Sequence, residues 1–188
     1  AKSDPSRDTP NLQFHIQPIS TDKLGGANLH DFHAFTPTVA NIRPTSRGEI
    51  SISSSDTKVN PKIKMNYLST DEDRNVAADG IKLIRKIVME TNEFKKYEPE
   101  EFRPGSHLNE KEEIVKACSH YAQTIFHPVG TCKMGNDESA VVSDKLKVHG
   151  INKLRVIDAS IMPNITSGNT NAPTIMIAEK GADMILSA

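Results

Sequence analysis

The 188-residue chain has no tryptophan, only two cysteines and no apolar run as long as a membrane span. Without tryptophan, it has no indole face to offer a ligand cation. Two cysteines, Cys118 and Cys132, are too few for a disulfide framework and suit a reducing compartment. A bilayer-crossing helix needs about 20 successive apolar residues, and none occur here. An excess of charge of either sign is also missing: 23 basic and 24 acidic residues, well mixed, leave a formal net charge of −1. No basic stripe points to nucleic acid or to an anionic lipid surface. The opening AKSDPSRDTP lacks the apolar segment of a signal peptide. The expectation is a soluble, cytoplasmic protein, at most peripheral to the inner membrane. Its length allows one domain with a real core, or two small ones.

What is present reads as strands followed by helices. Residues 1–10 read as a disordered lead-in. NLQFHIQPIS (11–20) alternates with period two, Leu12, Phe14 and Ile16 against Gln13, His15 and Gln17, which predicts a half-buried strand ended by Pro18. Residues 20–31 read as loop, and Gly25-Gly26 alone is no phosphate-binding fingerprint. FHAFTPTVANI (32–42), RPTSRGEISISSS (43–55) and KIKMNYL (62–68) supply further extended segments. Ser69 with Glu72 makes a capping box, and Ala77, Ile81, Ile84 and Val88 follow as one apolar stripe, predicting a helix over about 71–91. Residues 92–108 read as irregular. Asn109 with Glu112 opens a second helix whose stripe is Ile114, Cys118, Tyr121 and Ile125, ending near Phe126 because Pro128 disfavours helical geometry at His127. LRVIDAS (154–160) suits a buried strand, and a last helix runs from Pro173. The order predicts an α+β fold with an antiparallel sheet flanked by helices.

Several residues could carry chemistry. His127 lies in HPVGTCKMG (127–135), and a histidine is a residue type that can take a proton from an alcohol. By spacing alone it reads more readily as a satisfied turn residue. Cys118, His120, His127 and Cys132 are zinc-ligand types, but their spacing matches no common structural site, and the first pair falls within a helix. Cys132 as a nucleophile would need His127 as base across a turn, and Cys118 reads as core filler. Ser160 and Ser167 lack the G-x-S-x-G context of an activated serine. Asn169 and Asn171, just before the last helix, serve as turn and cap residues or as the polar edge of a helix start that faces a ligand.

Two stretches carry a resemblance. HPVGTCKMG, followed by LRVIDASIMPNITSGNTNAPTIMIAEKGADMI at 154–185, resembles the C-terminal signature of the glucose-methanol-choline (GMC) oxidoreductases, in their choline and alcohol dehydrogenase branch. NLQFHIQPI, RPTSRGEISISSSD and KMNYLSTDEDRNVAADGIKLIRKI resemble family segments in the expected order, so the likeness begins near residue 11. It implies an FAD-dependent enzyme oxidising an alcohol to an aldehyde or ketone. It implies His127 as catalytic base and Asn169 as its polar partner, with Asp158, Ala159, Asn171 and Pro173 beside the flavin, partly through backbone atoms. No metal is implied.

The family's G-x-G-x-x-G dinucleotide half has no counterpart here. The resemblance therefore implies a substrate domain over 11–153 and, over 154–188, a strand and helix that return to the FAD domain. The partners it implies are an N-terminal FAD-binding half of the same protein and a small alcohol. Alone, this chain is expected to hold FAD poorly and to be inactive, with its last segments disordered, packed in a non-native way, or self-associating through apolar faces such as Ile175, Ile177 and Met184. A free-standing, non-catalytic module with the same fold is the alternative.

Overall fold

The computed structural model describes residues 1–22 and 28–187, so Gly25-Gly26 lies outside the described residues. Among the described residues four short strands and four helices follow in order: β1 (Leu12–Gln17), β2 (Thr36–Asn41), β3 (Glu49–Ser51), β4 (Lys62–Lys64), α1 (Asp71–Glu90), α2 (Asn92–Lys95), α3 (Lys111–Tyr121) and α4 (Asn171–Leu186), with a 3₁₀ turn at Ala159–Ile161 before α4. The α+β class with antiparallel pairing is as expected. The strands form two separate two-stranded ribbons, β1–β2 and β3–β4.

The chain divides into two compact units that interleave along the sequence. One is Ala1–Ser46 with Tyr67–Gln123; the other is Arg47–Asn66 with the residues from Thr124 onward. The boundary expected at 153/154 falls inside the second unit.

In the first unit β1 and β2 pair from Leu12↔Asn41 to Gln17↔Thr36. Helix α1 packs on β2 and α3. Gly80 lets it approach the ribbon closely, since a Cβ there would meet Val39 Cγ2 at 3.0 Å. Leu12, Val76, Ala78, Ile114 and Ala117 form the buried apolar residues of this unit. Thr70, not Ser69, is the N-cap of α1; its side chain accepts the amide of Asp73. Glu110 and Glu113, not Asn109 and Glu112, form the capping box of α3. That helix stops at Tyr121, short of the expected Phe126.

Residues 92–108 include the short α2 and are tied to α1 by Arg85. Its guanidinium meets both carboxylate oxygens of Glu101, at 2.8 and 2.9 Å, and donates to the carbonyls of Gly105 and Leu108. Residues 1–10 are not a disordered lead-in. The terminal ammonium donates to the Leu12 carbonyl at 2.8 Å, the carbonyl of Ala1 accepts from the amides of Asn11 and Leu12, and Asn11 is buried beneath. Backbone pairing with the start of β1 overrides the polar composition that suggested disorder.

In the second unit Val142, Leu146, Ile161, Met162 and Ile177 are buried together, with Val129, Met134, Val156, Ile157 and Met184 packed around them. Residues 154–160 do not form the expected strand. Only Arg155 pairs, in an isolated antiparallel bridge with Lys147, and the apolar run turns into the 3₁₀ segment. Val156, Ile157 and Ile161 were apolar because they serve this core, not because a neighbouring strand needed them. Helix α4 begins at Asn171, two residues before Pro173. Gly181 brings it against Ile157, where a Cβ would meet Cγ2 at 2.4 Å. Of the three residues expected to drive self-association, Ile177 is buried, Met184 packs on the core, and Ile175 alone is exposed. No described helix is long and apolar enough to cross a membrane.

Candidate functional site

Two arms of the second unit meet at His127. The first enters through Phe126, at φ +63°, a left-handed conformation that an aromatic residue adopts only when its surroundings impose it. Pro128 then keeps His127 out of helical geometry. Gly130 at φ +90° passes close to the Met162 carbonyl, 3.3 Å from where a Cβ would sit. The amides of Cys132 and Met134 donate to the carbonyls of Ser160 (3.0 Å) and Ile161 (2.8 Å), stitching this loop along the 3₁₀ turn. Cys132 and Met134 thus work through their backbone, and Lys133 pairs with Asp137. The second arm enters through Ser167, also left-handed at φ +56°, and delivers Asn169 and Thr170 at the start of α4.

The meeting point is compact. Asn169 Nδ2 lies 2.9 Å from His127 Nε2, and Thr170 Oγ1 lies 3.0 Å from His127 Nδ1. An amide NH₂ only donates, so Nε2 faces it with a bare lone pair. The ring proton of neutral His127 is then on Nδ1 and donates to Thr170 Oγ1. The Thr170 amide also points at Nδ1, at 3.5 Å, which calls for the opposite role of that nitrogen. The Thr170 hydroxyl fits either role, and of the two donor-only contacts the shorter, from the Asn169 amide at 2.9 Å, decides the tautomer.

The start of α4 is itself unusual. No side chain caps it and its first turn holds no acid. Pro173 has no N–H, so the exposed residues Asn171 and Ala172 present the free backbone donors of the first turn. With the helix dipole, this donor set favours a negatively charged group. Asp158 accepts the amide of Ser160 at 2.8 Å and its hydroxyl at 2.5 Å, so its carboxylate caps the 3₁₀ turn that Ala159 opens.

Of the residues expected at a site, His127 and Asn169 are brought into direct contact. Asp158 and Ala159 lie on the 3₁₀ turn that carries the His127 loop, and Asn171 and Pro173 lie in the first turn of α4. Neither ring nitrogen of His127 is directed to Cys132. Burial raises the Cys118 thiol above its ordinary pKa, the opposite of what an activated thiol needs. Among the described residues, no three His, Cys, Asp or Glu side chains gather as a metal site would require. Thr170 is the residue the sequence does not single out. Its signal is a threonine before a helix whose first turn has no acid to share the capping.

The GMC oxidoreductase family profile matches residues 44–178. The chain is 46% identical over 176 residues to an oxygen-dependent choline dehydrogenase of Proteus mirabilis, covering 94% of this chain and 31% of that protein. It is 44% identical over 185 residues to an alcohol dehydrogenase [acceptor] of Pseudomonas putida, covering 98% of this chain and 33% of that protein. Among solved structures, pyridoxine 4-oxidase from Mesorbium loti superposes with a TM-score of 0.87 at 28% identity, covering all of this chain and 37% of that one. A formate oxidase superposes with a TM-score of 0.84 at 30% identity, covering 95% and 32%. The chain thus spans about a third of the length of the curated relatives it matches.

Proposed function

This chain belongs to the GMC oxidoreductase family, and on that footing we propose that it is the substrate-side, C-terminal part of an FAD-dependent dehydrogenase that oxidises the CH–OH of a choline-like alcohol to an aldehyde. The observation that carries this reading is the opposition of His127 Nε2 and the Asn169 amide at 2.9 Å, from segments 42 residues apart. A bare imidazole nitrogen beside an amide donor suits a hydroxyl group, because such a group both gives a proton and accepts a hydrogen bond.

His127 takes the hydroxyl proton at Nε2 while Asn169 donates to the same oxygen. The negative charge that grows on that oxygen is stabilised as the carbon becomes a carbonyl. Bound flavin supplies the acceptor for the hydride that leaves this carbon. The uncapped, acid-free start of α4 fits a cofactor whose reduced form is anionic, with Asn171 and Pro173 beside it. Asp158 and Ala159 would meet it through backbone atoms, since the Asp158 carboxylate is engaged with Ser160. The rest of the flavin's cradle would come from the N-terminal half of the same protein.

The test is an alcohol panel that includes choline, run on the whole flavin-loaded protein. The wild type is expected to yield an aldehyde. His127→Gln is expected to keep its flavin and lose about 10²–10⁴-fold in turnover. The 188-residue chain alone is expected to purify colourless and inert. Wild-type turnover in His127→Gln contradicts the role of base.

A further inference from the structure

An N-cap threonine ordinarily turns its hydroxyl back over the first turn and accepts an amide of the second or third helical residue. Thr70 does so on α1, accepting from Asp73 at 3.3 Å. Thr170 holds the same N-cap position on α4 and makes no such bond. It is only 8% exposed, so its hydroxyl needs a partner inside the protein, and that partner is His127 Nδ1 at 3.0 Å. Thr174 fixes the peptide that carries it: its amide and its hydroxyl both donate to the Thr170 carbonyl, at 3.0 and 2.6 Å. The hydroxyl has been diverted from the helix to the histidine.

We propose that Thr170 is a positioning residue for His127, holding the imidazole with its proton on Nδ1 so that Nε2 stays bare toward the substrate. This rests on the reading of His127 as the base. An imidazole turns about two side-chain torsions, and its two tautomers differ little in energy until something binds one nitrogen. With the proton on Nε2 the ring cannot accept from an alcohol. The Asn169 amide, which only donates, selects a bare Nε2, and the Thr170 oxygen then accepts the proton on Nδ1 and fixes the rotation of the ring. That oxygen still accepts from Nδ1–H after Nε2 has taken a proton, so the contact persists through the transfer without rearrangement. Being neutral, the hydroxyl orients the ring without adding a negative charge close to the place where the substrate oxygen becomes negative.

The experiment uses the whole flavin-loaded protein. Thr170→Val removes the hydroxyl and keeps the shape; Thr170→Ser keeps the hydroxyl. The expected result is a loss of about tenfold in kcat for Thr170→Val with KM within about twofold, and recovery of most of that loss in Thr170→Ser. A readout independent of turnover is the long-range ¹H–¹⁵N spectrum of the histidine rings, with the His127 signals identified by their loss in His127→Gln. Nδ1 is expected protonated and Nε2 bare in the wild type and in Thr170→Ser, with mixed tautomers in Thr170→Val. If Thr170→Val fails to fold, the wild-type spectrum decides, because a protonated Nε2 overturns the proposal. Wild-type turnover in His127→Gln defeats the reading of the base. Loss in His127→Gln, with wild-type rate and tautomer in Thr170→Val, defeats the positioning role alone.

Discussion

Helix α1 begins at Thr70 with Asp71, Glu72 and Asp73 in its first turn, and the Thr70 oxygen accepts the amide of Asp73. Helix α4 begins at Thr170 with no acid in its first turn and no side-chain cap. Both N-caps are threonines, yet their hydroxyls serve different masters. At α1 the free amides and the positive end of the dipole are answered from within, by residues that belong to the helix. At α4 they are left unanswered, and the capping hydroxyl is turned toward His127. A helix start that completes itself is a structural joint; one left incomplete, next to a histidine and an asparagine in contact, suits the flavin proposed above to lie against it. The cost of an uncapped start, about 1 kcal/mol, is borne where the second unit's core anchors α4 through Ile177.

The largest effect that could break this comparison is at Asn169. Asn169→Leu keeps the bulk and removes the donor, and turnover of the whole flavoprotein is expected to fall about 10²–10³-fold with folding intact. Steady-state kinetics checks this; an unchanged kcat would mean that the α4 start donates nothing to the reaction.

Next is Asp73. Burial opposes ionisation of its carboxyl, but hydrogen bonds from Ser46 and Thr45 outweigh that and hold it below the ordinary carboxylate pKa. A depressed carboxylate stabilises the fold above the unfolded value, near 3.9, and that stabilisation is lost as pH falls through the lower folded value. Asp73→Asn is expected to cost about 1–3 kcal/mol at neutral pH and to flatten the acid limb of stability. Denaturant titrations at neutral pH and in the acid range measure both.

Smaller again is Thr70→Ala, expected to lower stability by about 1 kcal/mol and to leave kcat untouched, the mirror image of Thr170→Val. The smallest is Asn171→Asp, which gives α4 the acid it lacks. It is expected to raise stability by about 0.3–1 kcal/mol while weakening flavin retention, read from the flavin-to-protein absorbance ratio after gel filtration.

How far the sequence reveals this depends on whether the cause is local. Alternation marked β1, the Ile81–Ile84–Val88 stripe marked α1 within a residue of its bounds, and antiparallel pairing followed from strands without crossover helices. Capping was misplaced by one residue at both α1 and α3, because several adjacent Ser, Thr, Asn or Glu residues can each fill the position and tertiary contacts choose among them. The run at 154–160 reads as a strand because burial and strand pairing give the same apolar pattern. The pairing of His127 with Asn169 is non-local and was implied only by family resemblance; the geometry that brings them together is independent of it. Thr170 was invisible because a threonine before a helix reads as a cap. Nothing in its neighbours says that its hydroxyl reaches a ring 43 residues earlier.

The central claim is that Thr170 acts on the reaction only through His127, whereas Thr70 acts only on its helix. A double-mutant cycle of His127→Gln and Thr170→Val in the whole flavoprotein tests this most directly. The account predicts that the double variant turns over at the rate of His127→Gln alone, within about twofold, because there is no imidazole left to orient. Rate losses that multiply in the double variant would show that Thr170 acts by another route and would contradict the account.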